Sequence, residues 1–126
     1  MHNFKELNIW KRSVDLAVKV YQLSRGFPKE EKFGLTSQIT RCAVSIGSNI
    51  AEGAGRNTDK DFNNFLGIAL GSSFELETQI IIANKVGLID DESFKSISSE
   101  ILEVQKMING FKRKLIKQFS LLNKKV

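Results

Sequence analysis

The stretch TDKDFNNFLGIALGSSFELETQIIIANKV, Thr58 to Val86, decides the fold. Within it Phe62, Phe65, Ala69, Ser73, Leu76, Ile80 and Ala83 recur at alternating steps of three and four. That spacing puts them on one side of an α-helix and is incompatible with the period-two pattern of a strand. Thr58 with Asp61 three residues later resembles a capping box, and Asp59 and Asp61 suit the positive end of a helix dipole. Gly87 is placed to end the helix in the left-handed conformation. At 1.5 Å per residue the segment is a rod of about 40 Å.

The same period appears on both sides of this segment. Upstream it runs through Leu35, Ile39, Cys42, Ile46 and Ile50, and downstream through Phe94, Ile97, Ile101, Val104, Ile108, Phe111 and Leu115. Near the start it reads Leu7, Trp10, Val14, Ala17 and Tyr21. Gly26-Phe27-Pro28 breaks the first helix from the second, and Gly53, Gly55 and Asn57 break the second from the third. Asp90 can cap the fourth, with Ile89 and Phe94 as a hydrophobic staple. Gly110 interrupts that last helix at a cost of about 1 kcal/mol. Helices are expected at about 7–25, 29–54, 58–86 and 91–119, within one domain over 1–126. Short connections make successive helices antiparallel neighbours. The expected fold is all-α, an antiparallel up-down-up-down four-helix bundle.

Charge is unevenly distributed along the chain. Residues 1–100 hold twelve Lys+Arg against thirteen Asp+Glu, whereas residues 101–126 hold seven basic groups against Glu103 alone. The overall net charge of +5 therefore belongs to Lys106, Lys112, Arg113, Lys114, Lys117, Lys124 and Lys125. A concentrated positive end suits a polyanion, although a solvated helix end gives the same pattern. No unbroken apolar run nears the roughly 20 residues of a bilayer span, and the first residues have no signal-peptide core. One cysteine, Cys42, excludes an internal disulfide and fits a reducing compartment. The expected location is the cytoplasm, away from membranes.

Parts for catalysis are missing. The one histidine, His2, lies near the terminus and is expected to be mobile, so no His-based triad or metal cluster is available. Cys42 falls on an apolar stripe, where it acts as a small hydrophobe. Glu75 and Glu77 are two apart and diverge. No catalytic residue, metal or cofactor is expected.

The chain carries more apolar surface than one bundle needs. Leu70, Phe74 and Ile81, with Ile82, lie off the main stripe of the third helix, and Ile9, Leu16, Val20 and Leu23 lie off that of the first. Self-association through Leu70, Phe74 and Ile81 is one reading and a broad core face is the other. Ala43, Gly47 and Ala51, and again Gly67 and Gly71, are spaced by four. Such spacing permits close helix approach within a bundle or between copies. A polar line on the second helix, Arg41, Ser45, Asn49 and Glu52, reads as an interhelical or intersubunit network or as a solvated face.

These residues also carry a recognisable pattern. Phe27 to Leu35 (FPKEEKFGL), Gln38 to Ile46 (QITRCAVSI) and Ser48 to Gly53 (SNIAEG) resemble the four-helix bundle proteins encoded in intervening sequences of bacterial 23S ribosomal RNA genes. The likeness continues through Arg56, Phe62, Phe65-Leu66, Ala69, Gly71-Ser72, Glu75 to Gln79 and Gly87, and weakens after about Met107. Gly47 stands where the family commonly has a kinking proline. The resemblance implies a cytoplasmic bundle that assembles into a ring-like homopentamer. It also implies kinship with the accessory variability protein of diversity-generating retroelements, which binds nucleic acid and a reverse transcriptase. Two functions fit. In one, a scaffold holds RNA or DNA, or a nucleic-acid enzyme, through Lys112, Arg113, Lys114, Lys117, Arg56 and Lys60. In the other, a structural module meets only proteins.

Overall fold

Two of the four helix starts are closed by side chains that satisfy free backbone groups, at Thr58 and Asp90. In the computed structural model, which describes the backbone of residues 1–125 and the side chains through Gln118, α1 spans Asn8–Ser24 and α2 Leu35–Ala54. Asp59–Lys85 forms α3 and Asp91–Lys125 forms α4, and no strand occurs among the described residues. Thr58 Oγ1 accepts the Asp61 N–H at 3.1 Å, and Asp90 Oδ1 accepts the Ser93 N–H at 2.7 Å. Gly87, at φ 84°, turns the chain so that the Leu88 N–H reaches the Ala83 carbonyl at 2.8 Å.

Two boundaries differ from the sequence expectation. Residues Lys29–Glu31 make a separate 3-10 turn, and Gly34, outside helical geometry, separates it from α2. The second helix therefore begins at Leu35 rather than 29. The last helix runs through Gly110 to Lys125 instead of stopping near 119. Ile108 and Leu115 are buried on either side of Gly110, and that anchorage outweighs the glycine's small cost.

Helices α1 and α2, α2 and α3, α3 and α4, and α4 and α1 pack side by side, while neither diagonal pair touches. The four form a square, antiparallel bundle. Its core joins Ile39, Ile46 and Ile50 of α2 to Phe62, Leu66, Leu76 and Ile80 of α3 and to Ile101, Val104 and Ile108 of α4.

Helix α1 turns a different face inward from the one its first stripe suggests. Ile9, Leu16 and Val20 are buried with Ser13, whereas Val14 and Tyr21 are exposed and Trp10 and Ala17 half-buried. The residues that look surplus in the sequence form the core, and the apparent core stripe lies at its rim, with Leu7, Trp10 and Ala17 packed against it and Val14 and Tyr21 outside. Tryptophan and tyrosine carry a polar N–H or O–H that a dry core cannot satisfy, so they settle at the rim. Ser13 is tolerated inside because its hydroxyl donates to the Ile9 carbonyl at 2.7 Å.

Helix α3 is by length and composition apolar enough to cross a membrane, averaging a mean hydropathy of 1.3 with a third of that stretch buried. Ser72, Ser73, Thr78 and Gln79 punctuate the helix, so its apolar character is not an unbroken run in the sequence. Here its core side is packed between α2 and α4.

Candidate functional site

The antiparallel order brings the start of α1, the end of α2, the start of α3 and the end of α4 to one end of the bundle. The contacts there are direct. The His2 N–H donates to the Ala54 carbonyl at 2.8 Å, the His2 ring stands 3.4 Å from Asp59 Oδ1, and its centroid is 5.0 Å from that of Phe62. His2 is thus packed against the bundle rather than loose. Arg56 and Lys60 belong to this end, and so do Arg113, Lys114 and Lys117, all exposed. Leu115 and Ile116 stand beside Asp59 and Lys60, so the remainder of α4 projects beyond the first turn of α3. The side chains of Lys124 and Lys125 lie outside the described residues.

The basic residues are not equivalent. Lys112 points inward, and its Nζ donates to the Asn63 carbonyl at 3.1 Å and to Asn63 Oδ1 at 3.0 Å. Burial pulls its pKa below the usual lysine value. A side chain at Gly67 would stand 3.6 Å from that ammonium group, so the glycine leaves room for it. Arg56 is held by Glu52 at 2.9 Å and lies 4.6 Å over the Phe65 ring, with its side chain still 44% exposed. Arg113, Lys114 and Lys117 are engaged in no ion pair among the described residues.

Part of the polar line on α2 forms a network. Ser45 Oγ lies 2.9 Å from Ser72 Oγ of α3, and Asn49 Nδ2 donates to the Ser45 carbonyl at 2.8 Å and to its Oγ at 3.0 Å. Ser72 is the member that residue spacing on α2 alone does not reveal. Glu52 turns to Arg56, and Arg41 is exposed without an ion pair among the described residues. Cys42 sits at the same seam, its thiol 3.5 Å from Glu75 Oε2. Burial pushes the thiol pKa up, against the formation of a reactive thiolate.

Two apolar surfaces remain. On α3, Phe74 is 49% and Ile81 37% exposed, while Leu70 is half-buried against the core. The second surface was not legible in the sequence. It is a groove of about 550 Å³ between α1 and α2, walled by Trp10, Val14, Val18, Tyr21 and Val44 and floored by Gly47. The polar handles of Trp10 and Tyr21 were the signal that could have identified it.

A family model described as 23S rRNA-intervening sequence protein matches residues 5–110. Among solved structures, a protein of unknown function from the S23 ribosomal protein family of Bacteroides thetaiotaomicron is 29% identical, with a TM-score of 0.78. That likeness covers 83% of this chain and 95% of the other. No curated protein matches the chain.

Proposed function

This chain belongs to the 23S rRNA-intervening sequence protein family, and we propose that it is a non-enzymatic, self-associating cytoplasmic scaffold that holds the phosphate backbone of a structured nucleic acid at its basic end. The observation that carries this reading is the convergence of Arg56, Lys60, Arg113, Lys114 and Lys117 at one end of the bundle. Three of these lie beyond the residues matched by the family model, so the basic projection is argued from this chain's own charge. Because the helices are rigid and parallel to one axis, copies assembled side by side would display their basic ends on one face. Phosphate contacts would then multiply with copy number and be strongly salt-dependent. A ring of five copies, the assembly that the family resemblance implies, suits this arrangement. Among the described residues no exposed aromatic ring accompanies the cations, so the contact read from them is with the backbone and carries little sequence reading.

Gel retardation of a structured RNA and a DNA duplex over a series of salt concentrations tests the reading. Replacing Arg113, Lys114 and Lys117 with alanine is expected to weaken binding at least ~10-fold and to reduce the salt dependence by about one phosphate contact per removed charge. Lys112→Ala should leave affinity within about two-fold, since its ammonium faces Asn63 rather than solvent. No retardation at low salt by an intact assembly would overturn the nucleic-acid part.

A further inference from the structure

We propose that the groove between α1 and α2 binds a single-chain fatty carboxylate, its alkyl chain along the trough and its head group at Arg25. The inference goes beyond the reading above, since it concerns a different surface and a small molecule. At about 550 Å³ the groove falls in the range of small-molecule sites, about 300–1,000 Å³. Val14, Val18 and Tyr21 follow one another at helical spacing and make its wall on α1. Gly47, level with Ser13 and Val14, lowers the floor on α2. Trp10 and Arg25 line the two ends, about 22 Å apart along α1 at 1.5 Å per residue. A trough of that length suits an extended alkyl chain, whereas a single ring would fill only part of it.

Charge selects the head group. Arg25 is the one charged residue lining the groove, and Gln22 stands three residues before it. Arg25 is exposed and engaged in no ion pair among the described residues. Ser13 adds no donor, because its hydroxyl is committed to the Ile9 carbonyl. A guanidinium presents two parallel N–H groups that match the two oxygens of a carboxylate. A phosphate monoester brings about two charges and three acceptor oxygens, more than one cation and one amide can meet. Arg25 follows the end of α1, whereas the basic cluster lies at the end where α1 starts. A carboxylate bound here would therefore not compete with nucleic acid there.

Trp10 is the only tryptophan in the chain and lines the groove, so its fluorescence reads occupancy directly. Titration of the full chain with dodecanoate, kept below its micelle concentration, is expected to shift that emission saturably. Lengthening the alkyl chain by two methylenes should tighten binding several-fold. Dodecanol should bind about five-fold more weakly than dodecanoate, and Arg25→Gln should remove that preference without changing the affinity for the alcohol. Val18→Glu, at a position 50% exposed, should abolish binding of both while circular dichroism stays helical. No saturable shift with either ligand would overturn the proposal, as would equal affinity for acid and alcohol. Binding that survives Val18→Glu, or a preference that survives Arg25→Gln, would overturn it as well. Emission that changes on dilution of the protein alone, with no response to dodecanoate, would overturn it and identify another copy of the chain as what covers the groove.

Discussion

Gly53 and Gly47 lie six residues apart on α2, yet one closes a seam and the other leaves one open. A Cβ at Gly53 would stand 2.7 Å from Phe65 Cβ and 2.8 Å from Phe62 Cδ1, so α2 and α3 approach as closely as backbone allows. A Cβ at Gly47 would meet Ser13 Cβ at 3.7 Å, an ordinary contact, beneath the groove between α1 and α2. Both glycines cost helix propensity. Only at Gly53 does packing within the chain give the cost back. Gly53, which reads in the sequence as a helix breaker, is thus a close-approach point inside α2, and a glycine in a sequence leaves unstated whether a neighbour fills the space beside it.

The contrast yields three measurements. The largest effect is expected from Gly53→Ala, which forces the α2 and α3 backbones apart and should destabilise by about 1–3 kcal/mol despite a propensity gain of about 1 kcal/mol. Denaturant unfolding measures this, and an unchanged midpoint would show that the closed seam yields freely. Next, Gly47→Ala should stabilise by about 0.5–1 kcal/mol, since the added methyl fits and the helix gains. A loss of stability there would erase the difference between the two seams.

The smallest effect concerns the other flank of α1. Glu100 of α4 receives Lys19 Nζ at 3.0 Å and Arg12 Nε at 3.4 Å. The Lys19 hydrogen bond, with the charges of Lys19 and Arg12, holds its carboxyl below the usual carboxylate range despite partial desolvation. A depressed folded pKa stabilises above the unfolded value of about 4.3 and is lost as pH falls through the folded value. Both cations are more than a third exposed, so Glu100→Gln should cost at most about 1 kcal/mol at neutral pH. Unfolding curves of the two proteins should converge in acid. A gap that persists there would mean that α1 is fixed to α4 by shape instead.

Much of the fold was readable because it depends on local periodicity. The caps at Thr58 and Asp90, the turn at Gly87 and the inward stripes of α2, α3 and α4 all follow from neighbours a few residues away. Helix α1 failed that test. It carries two apolar stripes on different sides, and periodicity ranks them equally. The choice of Ile9, Leu16 and Val20 was made by the shape of the space that α2 and α4 leave for it. The candidate site divides in the same way. Surplus apolar residues and a basic C-terminal segment were visible in composition, but Lys112 was indistinguishable from Lys114 until Asn63 lay against it.

The sequence alone determined that four amphipathic helices form and in which order they follow, because helix period, caps and breakers act within a few residues. Only the tertiary structure decided which side of α1 is inside, which lysine is spent on the bundle, and where a groove stays uncovered. Those are properties of pairs of helices distant in sequence, and burial is fixed by what the whole bundle leaves exposed to water.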